Sequence, residues 1–199
     1  MLYLLKISSL FQVLCDGGDI WLANSTLVTD LKSAVIKELV NDEAFFYAID
    51  SSEIKDIKQA NKLVYTHIFP YHQNPETIDT VMTFITIQVH VPKPYSYMRS
   101  KTWVAPNLEF WIFSHNKHMK VGNIPKVSDN RNDYISKLLD KKFNGRDTLG
   151  NSKNDVNNLH LYGKLELVSN VEGAFSRDFL YRQMVFETVD LNRSLCEDE

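Results

Sequence analysis

The chain has 199 residues, 44% hydrophobic and 12% aromatic, enough to bury a core in one domain. Its 22 Lys and Arg against 25 Asp and Glu leave a net charge of −3, so no global basic field exists to wrap nucleic acid regardless of sequence. Two cysteines, Cys15 and Cys196, make neither a zinc framework nor a disulfide scaffold and read as free thiols of a reducing cytoplasm.

The first segment, "MLYLLKISSLFQVLC", is apolar but has no basic lead-in. Lys6 interrupts it, and it is too short to span a bilayer. Residues 1–24 read as an arm or a short helix whose apolar surface must be covered by the rest of the chain or by a partner. "DGGD" at 16–19 is a turn. Leu27, Leu31, Val35 and Leu39 recur every four residues and predict a helix over 25–42 lying on a sheet, with Asn24 or Ser25 as its cap.

"AFFYAID" at 44–50 and "LVYTHIF" at 63–69 read as strands around an exposed, polar "SSEIKDIKQANK". Residues 81–91, "VMTFITIQVHV", are the strongest strand signal, β-branched and alternating. Two prolines then open a Tyr-rich, basic loop over 92–101, whose Tyr95, Tyr97 and Arg99 are candidate contact residues. Residues 108–114 are apolar on both faces at the middle, the mark of a buried central strand.

Asp129 and Asn130 cap an expected helix over 132–143, with Tyr134, Ile135, Leu138 and Leu139 turned inward. Residues 144–158 read as a long polar loop. Two strands follow, over 159–168 and 178–191, joined by a hairpin-sized turn "SNVEGAFSR" with Gly173. The last strand sets Arg182 beside Met184 and Phe186, a mixed face that suits a subunit contact. The sum is an α+β fold: a mainly antiparallel sheet flanked by two helices, with an N-terminal arm and long loops. Residues 25–192 form the domain and 193–199 an acidic tail.

No phosphate loop, nucleophile elbow or cofactor motif is present in the sequence. The only chemistry to weigh lies in the histidines. His67, His72, His115 and His118 are the minority case for a metal-dependent nuclease or hydrolase. Against it, residues three apart leaving a strand face opposite ways, and no Glu follows His115 as a zinc-protease helix requires. Local hydrogen bonding is the stronger reading of these histidines.

From Thr83 onward the parts resemble a known family. They are an apolar strand, "KTWVAPNLEFWIFSHNKHMKV", a helix "NDYISKLLDKKF", "GKLELVSN", and a closing "RDFLYRQMVFETVDLN" with an F-x-T-x-D-x-N-like segment at 186–192. This resembles the neck and tail-terminator, or tail-completion, proteins of tailed bacteriophages. The resemblance implies a structural virion protein of the neck or tail, made in the host cytoplasm and without catalysis, cofactor or membrane. It implies a homo-oligomeric ring, often a hexamer, that touches the portal-connector and the tail or tail tube. DNA would pass through its lumen without being read. A chain acting as a monomeric adaptor is the third reading.

Overall fold

The computed structural model describes residues 24–91, 95–97, 101–103, 106–150, 159–161 and 163–188. The arm up to residue 23, Cys15, Arg99, Cys196 and the acidic tail lie outside the described residues.

A five-stranded sheet organises the chain, in the order β1 (Ile68–Phe69), β2 (Thr83–His90), β5 (Asn107–His115), β9 (Phe179–Glu187) and β8 (Glu166–Ala174). Every pairing is antiparallel except β1 with β2. Strand β5 is the central one, as its two apolar faces require. Two short ribbons complete the strands: β3 (Tyr95–Tyr97) with β4 (Lys101–Trp103), and β6 (Thr148–Leu149) with β7 (Leu159–His160).

Three helices lie on one face of the sheet: α1 (Asn24–Val40), α2 (Glu43–Ile49) and α3 (Arg131–Phe143). Leu31, Val35 and Leu39 of α1 are fully buried, so the four-residue stripe does what its spacing predicts. They meet Ile85 and Ile87 of β2, Phe110 and Ile112 of β5, and Met184 and Phe186 of β9. Helix α3 is capped by Asn130, whose side chain accepts from the Asp133 N–H at 2.9 Å. Ile135 and Leu139 are fully buried and Tyr134 and Leu138 partly so. The helix ends at Asn144, and Gly145 follows with φ 79°, the left-handed conformation that favours glycine.

Four expectations about elements are corrected. Residues 44–50 are helix, not strand: Asp42 caps the turn by accepting from Phe45 N–H, and Phe45, Phe46, Ala48 and Ile49 bury at helical spacing. A run of six apolar residues carries both periods, and the cap decides between them. Of 63–69 only Ile68 and Phe69 are strand. Leu63 closes a 3-10 helix (Ile57–Leu63), and Tyr65, with φ 66°, turns the chain before it can extend.

Residues 159–168 are not one strand. β7 ends at His160, Leu161 N–H donates to Asp147 O and Leu165 N–H to Arg146 O, and this segment lines the 145–149 stretch taken for open loop. The supposed turn over 169–177 is mostly strand. β8 runs to Ala174 and only Phe175 to Asp178 bend, held by Ser176 Oγ accepting from Asp178 and Phe179 N–H. Gly173 permits this, because it lies opposite Tyr181 with the ring folded over it; a Cβ there would fall 2.7 Å from the Tyr181 hydroxyl.

Candidate assembly surfaces

The register of the sheet defines two faces. Opposite the helices lie Phe84, Thr86 and Gln88 of β2, Glu109, Trp111 and Phe113 of β5, Tyr181, Gln183 and Val185 of β9, and Val171 of β8. One end of this face is aromatic. Phe84 and Phe113 stack at 5.1 Å, Trp111 and Tyr181 meet at 5.1 Å, and Phe69 and Phe179 pack edge-on to Phe84. The other end is polar around one carboxylate. Glu109, almost wholly buried, accepts from Trp111 Nε1 at 2.7 Å and from Gln183 Nε2, and meets His90 Nε2 at 2.7 Å. A buried carboxylate so satisfied fixes the rotamers of its three partners.

His90 and Asn107 form the last pair of the β2–β5 ladder, so the Glu109 cluster sits at the base of the β3–β4 hairpin. The hairpin register sets Tyr95 opposite Trp103 and Tyr97 opposite Lys101. Within the Tyr-rich loop, residues 95–97 and 101–103 thus form a two-stranded pair separate from the main sheet.

The histidines part company. His115 points to the helix-free face, accepts from Lys117 N–H at 3.1 Å, and lies edge-on to Phe179. His118 turns to the helix side, where its Nδ1 meets Thr83 Oγ1 at 2.9 Å and its Nε2 lies 3.5 Å from Asp50 Oδ2. His67 bonds Thr66, and His72 bonds Gln88 across the sheet edge. Among the described residues no group of three or more His, Cys, Asp or Glu is placed to hold a metal ion. Each ring has its own hydrogen-bonding partner, and although His67 and His118 lie close enough to influence each other, the nuclease or hydrolase reading has no assembled site among the described residues to rest on.

His118 belongs to a structural knot that the sequence did not reveal. Arg131, 1% exposed at the start of α3, donates from Nε to His118 O (2.7 Å) and from Nη1 to Ala48 O (2.6 Å). Its Nη2 donates to Lys120 O (3.0 Å) and to Asp50 Oδ2 (3.2 Å). One guanidinium thus ties α2, the segment after β5 and α3 together. Burial lowers the pKa of His118, and the Arg131 charge lowers it further against the pull of Asp50. Burial, helped by His118, pushes His67 down to about 4, so both rings are neutral at pH 7.

Arg182 lies on the helix-covered side of β9, beside the buried Met184 and Phe186. Its guanidinium reaches Asp133 of α3, Glu172 Oε2 (2.7 Å) and Asn170 Oδ1 (2.9 Å). It buttresses the β8 edge from within the chain.

That edge is the surface the sequence reading missed. β8 pairs with β9 on one side only, and among the described residues no strand pairs with its other side. Asn144 Oδ1 accepts from Leu167 N–H, and a bulge between Leu167 and Ser169 follows; beyond it the strand is open to Ala174. Val168, Val171 and Phe175 are among the exposed large apolar residues, at 51%, 49% and 38%. The strand carries no Lys or Pro, and its bulge together with Glu166 and Glu172 blunts it only in part. The signal was available in "ELVSNVEGA", but a hairpin turn assigned there hid it.

The described residues form a sheet with a large core under the helices, a small aromatic core on its other face, and an open β8 edge. The sequence matches the YomW family model over residues 34–188 and the chain belongs to that family, one of phage tail-terminator and neck proteins. Membership is consistent with a structural phage protein. No curated protein matches the chain. No described helix is long and apolar enough to cross a membrane.

Proposed function

We propose that the chain forms a homo-oligomeric ring at the head–tail neck or the end of the tail. There it joins the portal-connector to the tail or tail tube and lets DNA pass without sequence-specific binding, in a virion component synthesised in the host cytoplasm. The observation that carries this reading is the open β8 edge, with Val168 and Val171 exposed, on a chain whose other sheet edge is the two-residue β1. The two sheet edges of the subunit differ, and unlike surfaces that join head to tail give a ring where the rotation between copies closes. The net charge of −3 suits a conduit that must not grip DNA. Tyr95 and Tyr97 of β3, with Arg99 nearby in sequence, would contact neighbouring rings or subunits. Arg182 would act at the subunit contact through Glu172, the carboxylate it holds at the edge.

Light scattering coupled to size-exclusion chromatography tests the reading, with negative-stain imaging of the peak. The expected species is a closed ring whose mass is a multiple of the 23.1 kDa chain. A monomer that persists at high concentration and in the presence of neck and tail proteins overturns it.

A further inference from the structure

We propose that Asn144–Gly145 is a modification site: a step in the chain that loses ammonia to become aspartate or its β-linked isomer, and that the native fold holds closed. The inference is independent of the ring reading.

The chemistry starts from the sequence. Asn144–Gly145 is the only Asn-Gly step in the 199 residues. A glycine after asparagine offers its backbone nitrogen with no side chain in the way, and its backbone turns more freely than any other. The Gly145 nitrogen gives up its proton and attacks Asn144 Cγ. The N–Cγ bond forms, the Cγ–Nδ2 bond breaks, and Nδ2 leaves with a proton as ammonia. Water then adds to the cyclic imide and opens one of its two C–N bonds. Opening at Cγ leaves an aspartate at 144. Opening at the main-chain carbonyl leaves an isoaspartate, with the main chain rerouted through the side chain. The sum is one water taken up and one ammonia released.

Access does not prevent this reaction. Asn144 and Gly145 are both exposed, and nothing beyond the chain neighbours lies within 4 Å of where a Cβ on Gly145 would sit. Three features hold the reactants in the wrong arrangement instead. Ring closure needs the Gly145 nitrogen swung about the Asn144 Cα–C bond until it lies beside Cβ, and at the observed ψ of 129° the two are well apart around that bond. The nucleophile is engaged, because Gly145 N–H donates to Leu165 O at 2.7 Å. The electrophile is engaged as well, because Asn144 Oδ1 accepts from Leu167 N–H at 3.2 Å and so turns the carboxamide toward β8. Leu165 anchors this lock. Its N–H donates to Arg146 O at 2.8 Å, and its side chain is fully buried in the large core. Gly145 must part from Leu165 before its nitrogen can reach Cγ, so local opening sets the rate.

The two products differ in what they do to the open edge. An aspartate at 144 keeps an oxygen for Leu167 N–H. The isoaspartate adds a methylene to the main chain just before the Gly145 nitrogen. That displaces Gly145 from Leu165 O and unpins the start of β8 from the end of α3.

Peptide mapping by mass spectrometry tests the site in the full-length chain at mildly alkaline pH, once folded and once unfolded in guanidinium chloride. Asn144 is expected to be the first asparagine converted in the unfolded chain, and to react about 100-fold more slowly in the folded one. Leu165→Ala, which loosens the lock, is expected to speed the folded-state reaction about tenfold with no change in denaturant. Phe84→Leu, in the small core on the other face, should leave both rates as they are. Equal rates in the folded and unfolded chain overturn the proposal, as does another asparagine reacting first in denaturant. Acceleration by Phe84→Leu as large as that by Leu165→Ala also overturns it, because the gate is then global unfolding. Should Leu165→Ala fail to fold, hydrogen exchange of the unsubstituted chain takes its place. The opening constant of the Gly145 amide is expected to match the ratio of folded to unfolded deamidation rates, and a mismatch beyond about tenfold overturns the local lock.

Discussion

On the helix-covered face of the sheet, Phe110, Ile112, Met184 and Phe186 are wholly removed from solvent. One residue along the same strands, Trp111, Gln183 and Val185 keep part of their exposure. The first set meets three helices; the second meets neighbouring side chains of the same sheet and a carboxylate, Glu109, that organises them. The helix-free face is thus divided: its aromatic end, with Phe84 and Phe113 fully buried, is a second and smaller core, and only the part around Trp111, Gln183 and Val185 is half open.

The largest effect expected on this division comes from Arg131. Replacing it with Ala leaves Asp50 and the carbonyls of Ala48, His118 and Lys120 without their common donor. Removing one partner of a buried ion pair costs roughly 3–5 kcal/mol. Urea unfolding followed by circular dichroism should show that loss, and a change within 0.5 kcal/mol would mean that water or another side chain replaces the guanidinium at once.

Phe110 and Trp111 test the comparison between faces directly, because they are adjacent in sequence. Phe110→Ala opens a hole against Phe143 and Phe186, at a cost of about 3–5 kcal/mol. Trp111→Ala removes a half-buried ring and one hydrogen bond to Glu109, at a cost of roughly 1–2 kcal/mol. Equal losses would show that the helix-free face is as much a core as the other.

What was legible in the sequence follows the same division. Periodic elements with one decisive face were read well: α1 from its leucine stripe, β2 and β5 from alternation and two-sided apolarity, α3 from Asn130 and the residues it caps. Short elements were not. Residues 44–50 and 63–69 carry too few residues for period to separate helix from strand, and an Asp42 cap and a left-handed Tyr65 decided them. Gly173 was read as a turn because glycine commonly is one; a cross-strand tyrosine that needs its missing side chain is a tertiary fact. The Arg131 knot joins residues 81 and 83 positions apart, which no local pattern reports.

Acid should weaken the helix-covered side. His67 takes its proton near pH 4 in the folded chain and near its ordinary 6.5 when unfolded. Between these values the unfolded state binds more protons, so stability rises with pH. The contribution is complete above pH 6.5 and is lost as the pH falls to about 4. A shift of that size is worth about 3 kcal/mol. His118, also lowered, acts in the same direction. Unfolding free energies at pH 7 and pH 4.5 should differ accordingly, and His67→Gln should flatten most of the difference. A slope untouched by that substitution would assign the titration to His118 instead.

The smallest effect concerns the boundary between the helix-free face and the open edge. Gly173→Ala puts a methyl group 2.7 Å from the Tyr181 hydroxyl and 2.8 Å from its ring. Backbone strain is not the issue; the ring tip must swing, and Tyr181 also packs on Trp111. Overpacking that a side-chain end can relieve costs at the low end of its usual range, about 1 kcal/mol. Tyr181→Leu shortens the side chain and should make Gly173→Ala nearly neutral, giving a coupling of that same size in a double-mutant cycle. If the two losses simply add, the ring is not what Gly173 accommodates. Glycine would then be needed there for the strand's own bend, and the register between β8 and β9 rather than the Tyr181 ring would set the shape of the edge offered to a partner.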